Sequence, residues 1–301
     1  MTFLKQGEEA QIDLNTLDLQ AGRRAFLRTA GVMAAGAAAI GVTGLPGEAA
    51  AQEINDAAIL NFALNLEYLE AEFYFIAAFG RRLDDGDVTG SGRPGGVIGG
   101  KKVDFKTRLI LEYAQEIARD ERSHVQFLRK ALGSAKVARP AINLRSSFTA
   151  AARAAGLVDN KTEFDAFANE DNFLLAAFIF EDVGVTAYKG AARFIENKDY
   201  LEAAAGILAV EAYHAGAIRG ALASRGLFKQ AQAISNARDS LDGASDLDQG
   251  IGTASDGNIV PTDANGIAFS RTPQQVLNIV YLGEQASEAS FFPRKLNGAI
   301  A

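Results

Sequence analysis

The chain of 301 residues contains only two histidines, and each follows a glutamate by three positions. The first pair is Glu121 and His124 in "ARDERSHVQFL", and the second is Glu211 and His214 in "LAVEAYHAGAI". On a helix, residues three apart point to the same face. The carboxylate and the imidazole of each pair can therefore reach one metal ion, or one ion and its neighbour. The alternative, two hydrogen-bonded core histidines, is disfavoured by the doubled pattern.

Two further glutamates supply the ligands that such pairs still lack. Glu67 in "LNLEYLEAEFYF" and Glu181 in "AAFIFEDVGVTAY" each lie in the middle of a strongly apolar segment. An unpaired carboxylate is costly in that environment, so both are candidate metal ligands. Each is followed seven residues later by a tyrosine, Tyr74 or Tyr188, two turns along the same helix face.

The two halves of the chain share this pattern in the same order. Each half reads Glu-x6-Tyr and then Glu-x2-His, and the histidines begin the similar stretches "HVQFLRKAL" and "HAGAIRGAL". The pattern is an internal repeat of a helix pair, and it predicts a pseudo-twofold axis through the site.

Four long segments with apolar residues every three or four positions predict the helices that carry these residues. The turn between the last two is short, which predicts antiparallel neighbours. Two further C-terminal helices are indicated by "FKQAQAISNARDSLDG" and by "TPQQVLNIVYLG", which has Pro273 in its first turn. No segment alternates as a strand does. The expected bundle helices span about 53–79, 104–132 with Asp104 as N-cap, 169–196 and 199–224, with a short helix at 146–155 and long loops at 80–103 and 242–272.

One glutamate from each of two helices, plus Glu-x-x-His from each of the other two, resembles the dinuclear carboxylate site of the ferritin-like superfamily. The resemblance covers about 53–225. It implies an all-α fold, a ferritin-like four-helix bundle with additional C-terminal helices and irregular loops. It also implies the role of each ligand: Glu67 and Glu181 terminal, Glu121 and Glu211 bridging, and His124 and His214 giving one nitrogen to each metal.

The mixture of carboxylate and imidazole ligands suits two iron ions, with two manganese ions as the alternative and zinc as an adventitious occupant. Three stretches also resemble the bacterial and plant desiccation-related ferritin-like proteins, whose biochemical activity the resemblance leaves open. They are "ILNFALNLEYLEAEFY", "NIVPTDANGIAFSRTPQQVL" and "FFPRKLNG".

Three residues are candidates for a supporting role around the ligands. Tyr74 and Tyr188 either hydrogen-bond ligand carboxylates or are ordinary tyrosines of the bundle core. Asp120 either orients a ligating histidine as a hydrogen-bond acceptor or faces water. Its counterpart in the second half is Val210, so the repeat is not symmetric there.

Other features of the same segments are expected to lie outside the site. Glu70 and Glu72 lie on other helix faces than Glu67 and are expected to be solvated. The stretch "GSGRPG", 90–95, fits a glycine pattern of nucleotide sites. It follows no strand and contains Pro94, so a loop is predicted instead.

The N-terminal segment resembles a twin-arginine export signal. "GRRAFLR" precedes the apolar run "TAGVMAAGAAAIGVTGL", and "EAAAQE" offers small residues for cleavage after Ala51. A run of about 17 residues is short for the roughly 30 Å of a membrane core, which favours cleavage over an anchor. We therefore expect a signal in 1–51, a bundle in 52–227, and a C-terminal extension packed on it in 228–301. The protein would be periplasmic or otherwise exported, with no membrane span after cleavage.

Composition excludes several classes of function. The absence of cysteine excludes disulfides, thiolate metal sites and cysteine nucleophiles. A net charge of −7 without a block of basic residues argues against nucleic acid as a partner. The expected function is redox chemistry with O₂ or peroxide, as a ferrous-iron oxidase, a peroxide-disproportionating catalase or an oxidase of an organic substrate. Iron storage in a cage and a structural or stress-protective metal-binding bundle are the alternatives, and each is compatible with a homo-oligomer.

Overall fold

The computed structural model describes residues 55–301, with four long helices at its centre. The expected all-α fold is confirmed, while the expected export signal and its cleavage position lie outside the described residues. Between residues 55 and 301, no helix combines the length and hydropathy needed to span a membrane. The helices are α1 (Asp56–Phe79), α2 (Arg108–Leu132), α3 (Ser146–Ala154), α4 (Glu170–Ala192), α5 (Lys198–Ser224), α6 (Phe228–Asp242) and α7 (Pro273–Tyr281).

The helices α1 and α4 are the central pair of the bundle. Nearly every residue of α1 from Ile59 to Ala78 is buried, and so is every residue of α4 from Phe173 to Gly184. Such helices are apolar on all sides because they are covered on all sides. The helices α2 and α5 bury one face each, and that face carries the Glu-x-x-His pair. Because α1 packs on α2 and α4 on α5, the fold consists of the two predicted helix pairs.

Local sequence signals determine several helix ends. The side chain of Asn55 accepts the N–H of Ala58 at 3.0 Å, and Gly80 ends α1 with a left-handed φ of 71°. Thr272 and Gln275 form a capping box at the start of α7, where Pro273 occupies the first turn as predicted.

The start of α2 differs from the prediction because of a tertiary contact. Its N-cap is Thr107 and not Asp104. The carboxylate of Glu170 accepts the N–H of Lys106 at 2.6 Å and also that of Thr107, which fixes this backbone outside the helix. Glu170 lies 63 residues beyond Thr107 in sequence, so no local pattern reveals the contact.

The end of α4 also comes earlier than predicted. The helix ends at Ala192, whereas the periodicity extends to Glu196. Asp56, at the start of α1, accepts the N–H of Glu196 at 2.9 Å and that of Asn197 at 2.8 Å. These bonds hold the turn before α5 against the first helix.

The sequence predicts no strand, but the connections contain one small parallel pair. Strand β1 (Val97–Ile98) pairs with β2 (Ile142–Asn143), with Val97 opposite Ile142. Two residues are too few to show an alternating pattern. The "GSGRPG" stretch precedes β1 as a loop, where Ser91 N–H donates to the Lys136 carbonyl at 3.0 Å.

The segment after α5 packs on the bundle. The helix α6 packs against α4, and α7 packs against α6 and α4. Near the end of the chain, the Asn65 amide of α1 donates to the Asn297 carbonyl at 2.8 Å and accepts the Asn297 N–H at 3.1 Å. Buried ion pairs, which we call the arginine–aspartate network, also join this segment to α4 and α5. Its members are Asp182, Arg219, Arg238, Asp242, Asp248 and Arg271.

Candidate metal centre

The six predicted ligands converge at one position between the four long helices. Each is more than nine-tenths buried. They form two groups of four, in which one ligand atom from each residue lies within 4.8 Å of the others. Glu121 and Glu211 belong to both groups, as bridging carboxylates would. The first group adds Glu67 and His124, and the second adds Glu181 and His214.

One nitrogen of each imidazole faces the carboxylates. His124 Nδ1 lies 3.2 Å from Glu67 Oε2, 3.5 Å from Glu121 Oε2 and 3.7 Å from Glu211 Oε1. His214 Nδ1 lies 3.0 Å from Glu121 Oε1 and 3.5 Å from Glu181 Oε2. The two halves therefore place equivalent nitrogen atoms on either side of the shared carboxylates.

The hydrogen bonding of this cluster fits a site for metal ions. Buried polar atoms in proteins are nearly always hydrogen-bonded, so unpaired ones require an explanation. Here the unpaired atoms all point to one another, and all are of the types that coordinate metals. Within the cluster, the buried atoms without a hydrogen-bond partner are Glu67 Oε2, both oxygens of Glu121, His124 Nδ1, Glu181 Oε2, both oxygens of Glu211, and His214 Nδ1. The cluster is thus suited to binding metal ions.

The two tyrosines hold the terminal glutamates, and they do so across the bundle. Tyr74 Oη on α1 donates a hydrogen bond to Glu181 Oε1 on α4, and Tyr188 Oη on α4 donates to Glu67 Oε1 on α1. The exchange is reciprocal because α1 and α4 run antiparallel, as the predicted pseudo-twofold axis requires. Each glutamate thereby keeps its other oxygen, Oε2, directed at the cluster.

Asp120 contacts a histidine, but the one of the other half. Asp120 Oδ2 on α2 lies 3.2 Å from His214 Nε2 on α5. A carboxylate at Nε2 fixes the ring orientation and directs Nδ1 at the cluster. The position equivalent to Asp120 holds Val210, so only one of the two imidazoles has this acceptor.

The prediction that Glu70 and Glu72 are solvated is wrong. Their exposed fractions are 5% and 0%, because no face of α1 reaches water. Glu72 forms an ion pair with Arg139. Burial, together with the carboxylates of the cluster, beginning with Glu121, holds the pKa of Glu70 well above its usual range. Glu70 is therefore a fifth carboxyl group at the site.

Burial and charge shift the pKa values of the cluster in different directions. Burial raises the pKa of Glu67 to about 7, against the attraction of His124. Burial and the other carboxylates also hold the pKa of Glu211 well above its usual range. Although burial acts on Glu121 in the same sense, two neighbouring imidazoles lower the pKa of its carboxyl group below its usual range. Burial lowers the pKa of His124, but Glu67 and Glu121 raise it to about 11. These side chains share protons, and cations among them would displace those protons.

Two arginines that the sequence analysis left without a role extend the repeat. Arg129 and Arg219 each follow a histidine by five residues and are buried. Arg129 donates to Tyr68 Oη at 2.6 Å and to carbonyls of the loop after α1. Arg219 donates to Asp182 Oδ2 at 2.7 Å and to carbonyls of the loop after α6. Tyr68 and Asp182 each follow a terminal glutamate, so equivalent arginines fix one long loop in each half. The sequence signal that could have revealed these arginines is their recurrence at the same position in the two stretches after the histidines.

Comparison with known proteins agrees with this geometry. Two curated relatives match most of the chain. The "Desiccation-related protein PCC13-62" of Craterostigma plantagineum is 32% identical over 267 residues, covering 81% of this chain and 83% of the relative. The "Ferritin-like catalase Nec2" of Nesocodon mauritianus is 26% identical over 268 residues, covering 82% of this chain and 85% of the relative. Residues 55–224, which contain all four long helices, match the family described as "Ferritin-like domain". The chain therefore belongs to the ferritin-like domain family.

Proposed function

We propose that the buried cluster holds two ions of iron or manganese and carries out redox chemistry with O₂ or peroxide. The supporting observation is the convergence of unpaired oxygen and nitrogen atoms in two groups that share Glu121 and Glu211. Glu67 and His124 would complete one metal position, and Glu181 and His214 the other. Iron and manganese both suit this donor set, and zinc would be an adventitious occupant.

Glu121 and Glu211, which belong to both groups, would hold the two ions side by side, and the pair would supply two electrons, one from each ion. The protein contributes geometry and exclusion of water. Tyr74 and Tyr188 fix the terminal glutamates by hydrogen bonds, and Asp120 fixes the ring of His214. The apolar side chains of α1 and α4 surround the cluster. A dry environment strengthens electrostatic interactions within it.

The relatives support different versions of this function. The relative named as a ferritin-like catalase supports peroxide disproportionation. The relative named as desiccation-related supports a stress-protective bundle that holds metal without turnover, and this is our second candidate function. Iron storage in a cage is less well supported, because the long loops and the C-terminal segment differ from compact cage subunits.

Metal content and turnover of the mature protein distinguish these functions. The purified protein should contain about two Fe or Mn per chain by elemental analysis. It should also consume O₂ with Fe²⁺ or decompose peroxide. Metal without either activity would support the stress-protective bundle, and a large closed particle by light scattering would support storage.

A matched pair of variants tests the site itself. His214→Ala should lower the metal content. Tyr213→Ala changes the next residue, whose side chain is 79% exposed, and should leave the metal content unchanged. Equal metal content in the two variants would show that the ligands are assigned incorrectly.

We also propose that the protein is exported through the twin-arginine pathway and cleaved after Ala51. Support comes from the adjacent Arg23 and Arg24, which precede the apolar run. In a bacterial host with this pathway, the mature protein should begin at Gln52 in the periplasm. Replacing both arginines by lysine should retain the precursor in the cytoplasm, whereas Arg28→Lys should not. Export of the double variant would contradict the proposal.

A further inference from the structure

The repeat is asymmetric at one position beside the candidate metal centre. Glu70 lies three residues after Glu67 on α1, and Gly184 lies three residues after Glu181 on α4. One half therefore has a carboxyl group where the other half has no side chain. Since α1 and α4 are antiparallel and packed together, the two positions face each other across the bundle.

The bare backbone at Gly184 makes room for two carboxylates. A Cβ atom added there would overlap Glu211 Oε2 and would lie 3.5 Å from Glu70 Oε1. Glu70 and a shared ligand of the cluster therefore meet at the same place. Among residues 55–301, the carboxyl group of Glu70 has no hydrogen-bond partner. Such a buried group is available to a bound molecule.

A small cavity lies beside Glu70 and Gly184. We call it the α1–α4 cavity, and its volume is about 20 Å³. Space of roughly 10–15 Å³ by this measure holds one water molecule, so the cavity accepts a molecule of about two heavy atoms. It is lined by Glu70, Gly184 and Val183, and Ile279, Val280 and Phe291 of the segment after α6 close its outer side.

The chemistry of the lining selects among small molecules. The wall is apolar except for Glu70. A carboxyl group with free lone pairs binds molecules that donate hydrogen bonds. Water and hydrogen peroxide each donate two, so peroxide, with two heavy atoms, can replace water in the cavity, whereas O₂ donates none. An organic substrate does not fit the volume.

We propose that the α1–α4 cavity is the peroxide-binding subsite of the metal centre, with Glu70 as its hydrogen-bonding residue. This inference rests on the proposed redox function and names its oxidant. It also gives the segment after α6 a role, because Val280 and Phe291 restrict the subsite to small molecules. Gly184, which lines the cavity, leaves room for the Glu211 carboxylate beside Glu70.

Occupancy of the cavity can be tested independently of activity. Xenon enters small apolar cavities, so crystals of the metal-loaded protein under xenon pressure should contain xenon at this position. Val280→Ile adds a methylene group to the wall and should exclude it. Val276→Ile makes the same change on α7, outside the lining, and should leave xenon bound. Xenon in Val280→Ile at the same occupancy as in the wild type would overturn the proposal, because Val280 would then not limit the cavity.

Kinetics of peroxide decay test the role of Glu70. Loss of one hydrogen bond to a carboxyl group corresponds to about a tenfold change in affinity. Measured on protein of known metal content, Glu70→Leu should therefore raise the KM for peroxide about tenfold, and Glu70→Gln, which keeps one acceptor, should recover part of the loss. The KM for O₂ in the oxidation of Fe²⁺ should rise less than the KM for peroxide in the same variant, because O₂ donates no hydrogen bond.

The outcomes separate this inference from the proposed function. Turnover of peroxide by the wild type with unchanged KM in Glu70→Leu would overturn the subsite and leave the function standing. Consumption of O₂ without any peroxide decay would overturn the assignment of peroxide. Absence of metal and of both activities in the wild type would overturn the proposed function, and the subsite with it.

Discussion

Glu181 and Asp182 are neighbours on α4, yet their side chains belong to two buried clusters of opposite character. Asp182 belongs to the arginine–aspartate network, where Arg219 Nη1 lies 2.7 Å and Arg238 Nη2 lies 3.0 Å from its Oδ2. The network has three positive and three negative side chains, and each contacts an opposite charge. Glu181 belongs to the candidate metal centre, whose carboxylates face two imidazoles and no arginine or lysine among residues 55–301.

The difference shows how the balance of charge in a buried cluster indicates its role. A buried ion pair with matched charges holds elements together, and removing one partner is strongly destabilising. A cluster of carboxylates without matching cations is unfavourable as it stands and is explained by something that binds there. The arginine–aspartate network is therefore expected to stabilise the fold, and the candidate metal centre is expected to bind a ligand.

The largest expected effect is on metal binding. Glu211→Gln keeps the size of a residue that belongs to both groups of ligand atoms but removes its charge. Metal content should fall from about two ions per chain to less than one. Because burial keeps the pKa of Glu211 well above its usual range, the neutral amide resembles the protonated acid. The Tm of the metal-free protein should therefore change little, and a large decrease would contradict the comparison.

The opposite pattern is expected for the network. Asp182→Asn leaves two buried guanidinium groups without a full counter-charge, so the free energy of unfolding should fall by about 3–5 kcal/mol in urea denaturation. Metal content should not change. The control is Asp171→Asn on the same helix, which weakens an exposed pair with Arg225 and should cost less than about 1 kcal/mol. Equal losses in the two variants would refute the structural role of the network.

The asymmetry between the two histidines predicts a smaller effect. Asp120→Ala removes the acceptor at His214 Nε2 and should weaken metal binding about 10–100-fold in a competition assay with a chelator. Val210→Ala changes the equivalent position in the other half, where no carboxylate among residues 55–301 contacts Nε2 of His124. It should weaken binding less than about threefold.

A pH dependence is also expected, with the stability of the metal-free protein falling and the affinity for metal rising as pH increases. Burial raises the pKa of Glu67 to about 7, and the pKa of His124 is raised to about 11 by the nearby carboxylates against the effect of burial. Both groups hold more protons when folded than when unfolded, so these two groups make the metal-free protein less stable as pH rises from 5.5 to 8.5. Metal binding requires loss of those protons, so affinity should rise about tenfold per pH unit for each proton released. Thermal unfolding measures how the stability of the metal-free protein changes with pH, and calorimetric titration measures how metal affinity changes with pH. A stability that rises with pH, or an affinity that falls, would contradict the prediction.

The sequence predicted the grouping of the candidate ligands more completely than the contacts around them. The doubled Glu-x-x-His pattern and the apolar surroundings of Glu67 and Glu181 are local features, and the structure brings all six residues together. Contacts between elements that are distant in sequence leave no such local pattern. The contact of Glu170 with the backbone before α2 depends on how the helices pack against one another. So does the contact of Asp120 with His214 of the other half.

The error at Glu70 and Glu72 has a related cause. Helical periodicity indicates which residues share a face: Glu70, three residues after Glu67, shares its face, whereas Glu72 lies on another. It does not indicate how many faces of a helix are covered. The many apolar residues of α1 were the available signal that every face is buried.

The hydrogen bonds between Asn65 and Asn297 join residues 232 positions apart. They form only after residue 297 has been synthesised, which at about 5–20 residues per second is a delay of tens of seconds or less after α1 emerges. Until then Asn65, which lies two residues before Glu67, has no partner for its amide from the C-terminal segment. The helix that carries the candidate ligand Glu67 is thereby tied to a segment more than 200 residues later, so a product truncated before residue 297 would lack these hydrogen bonds beside the candidate site.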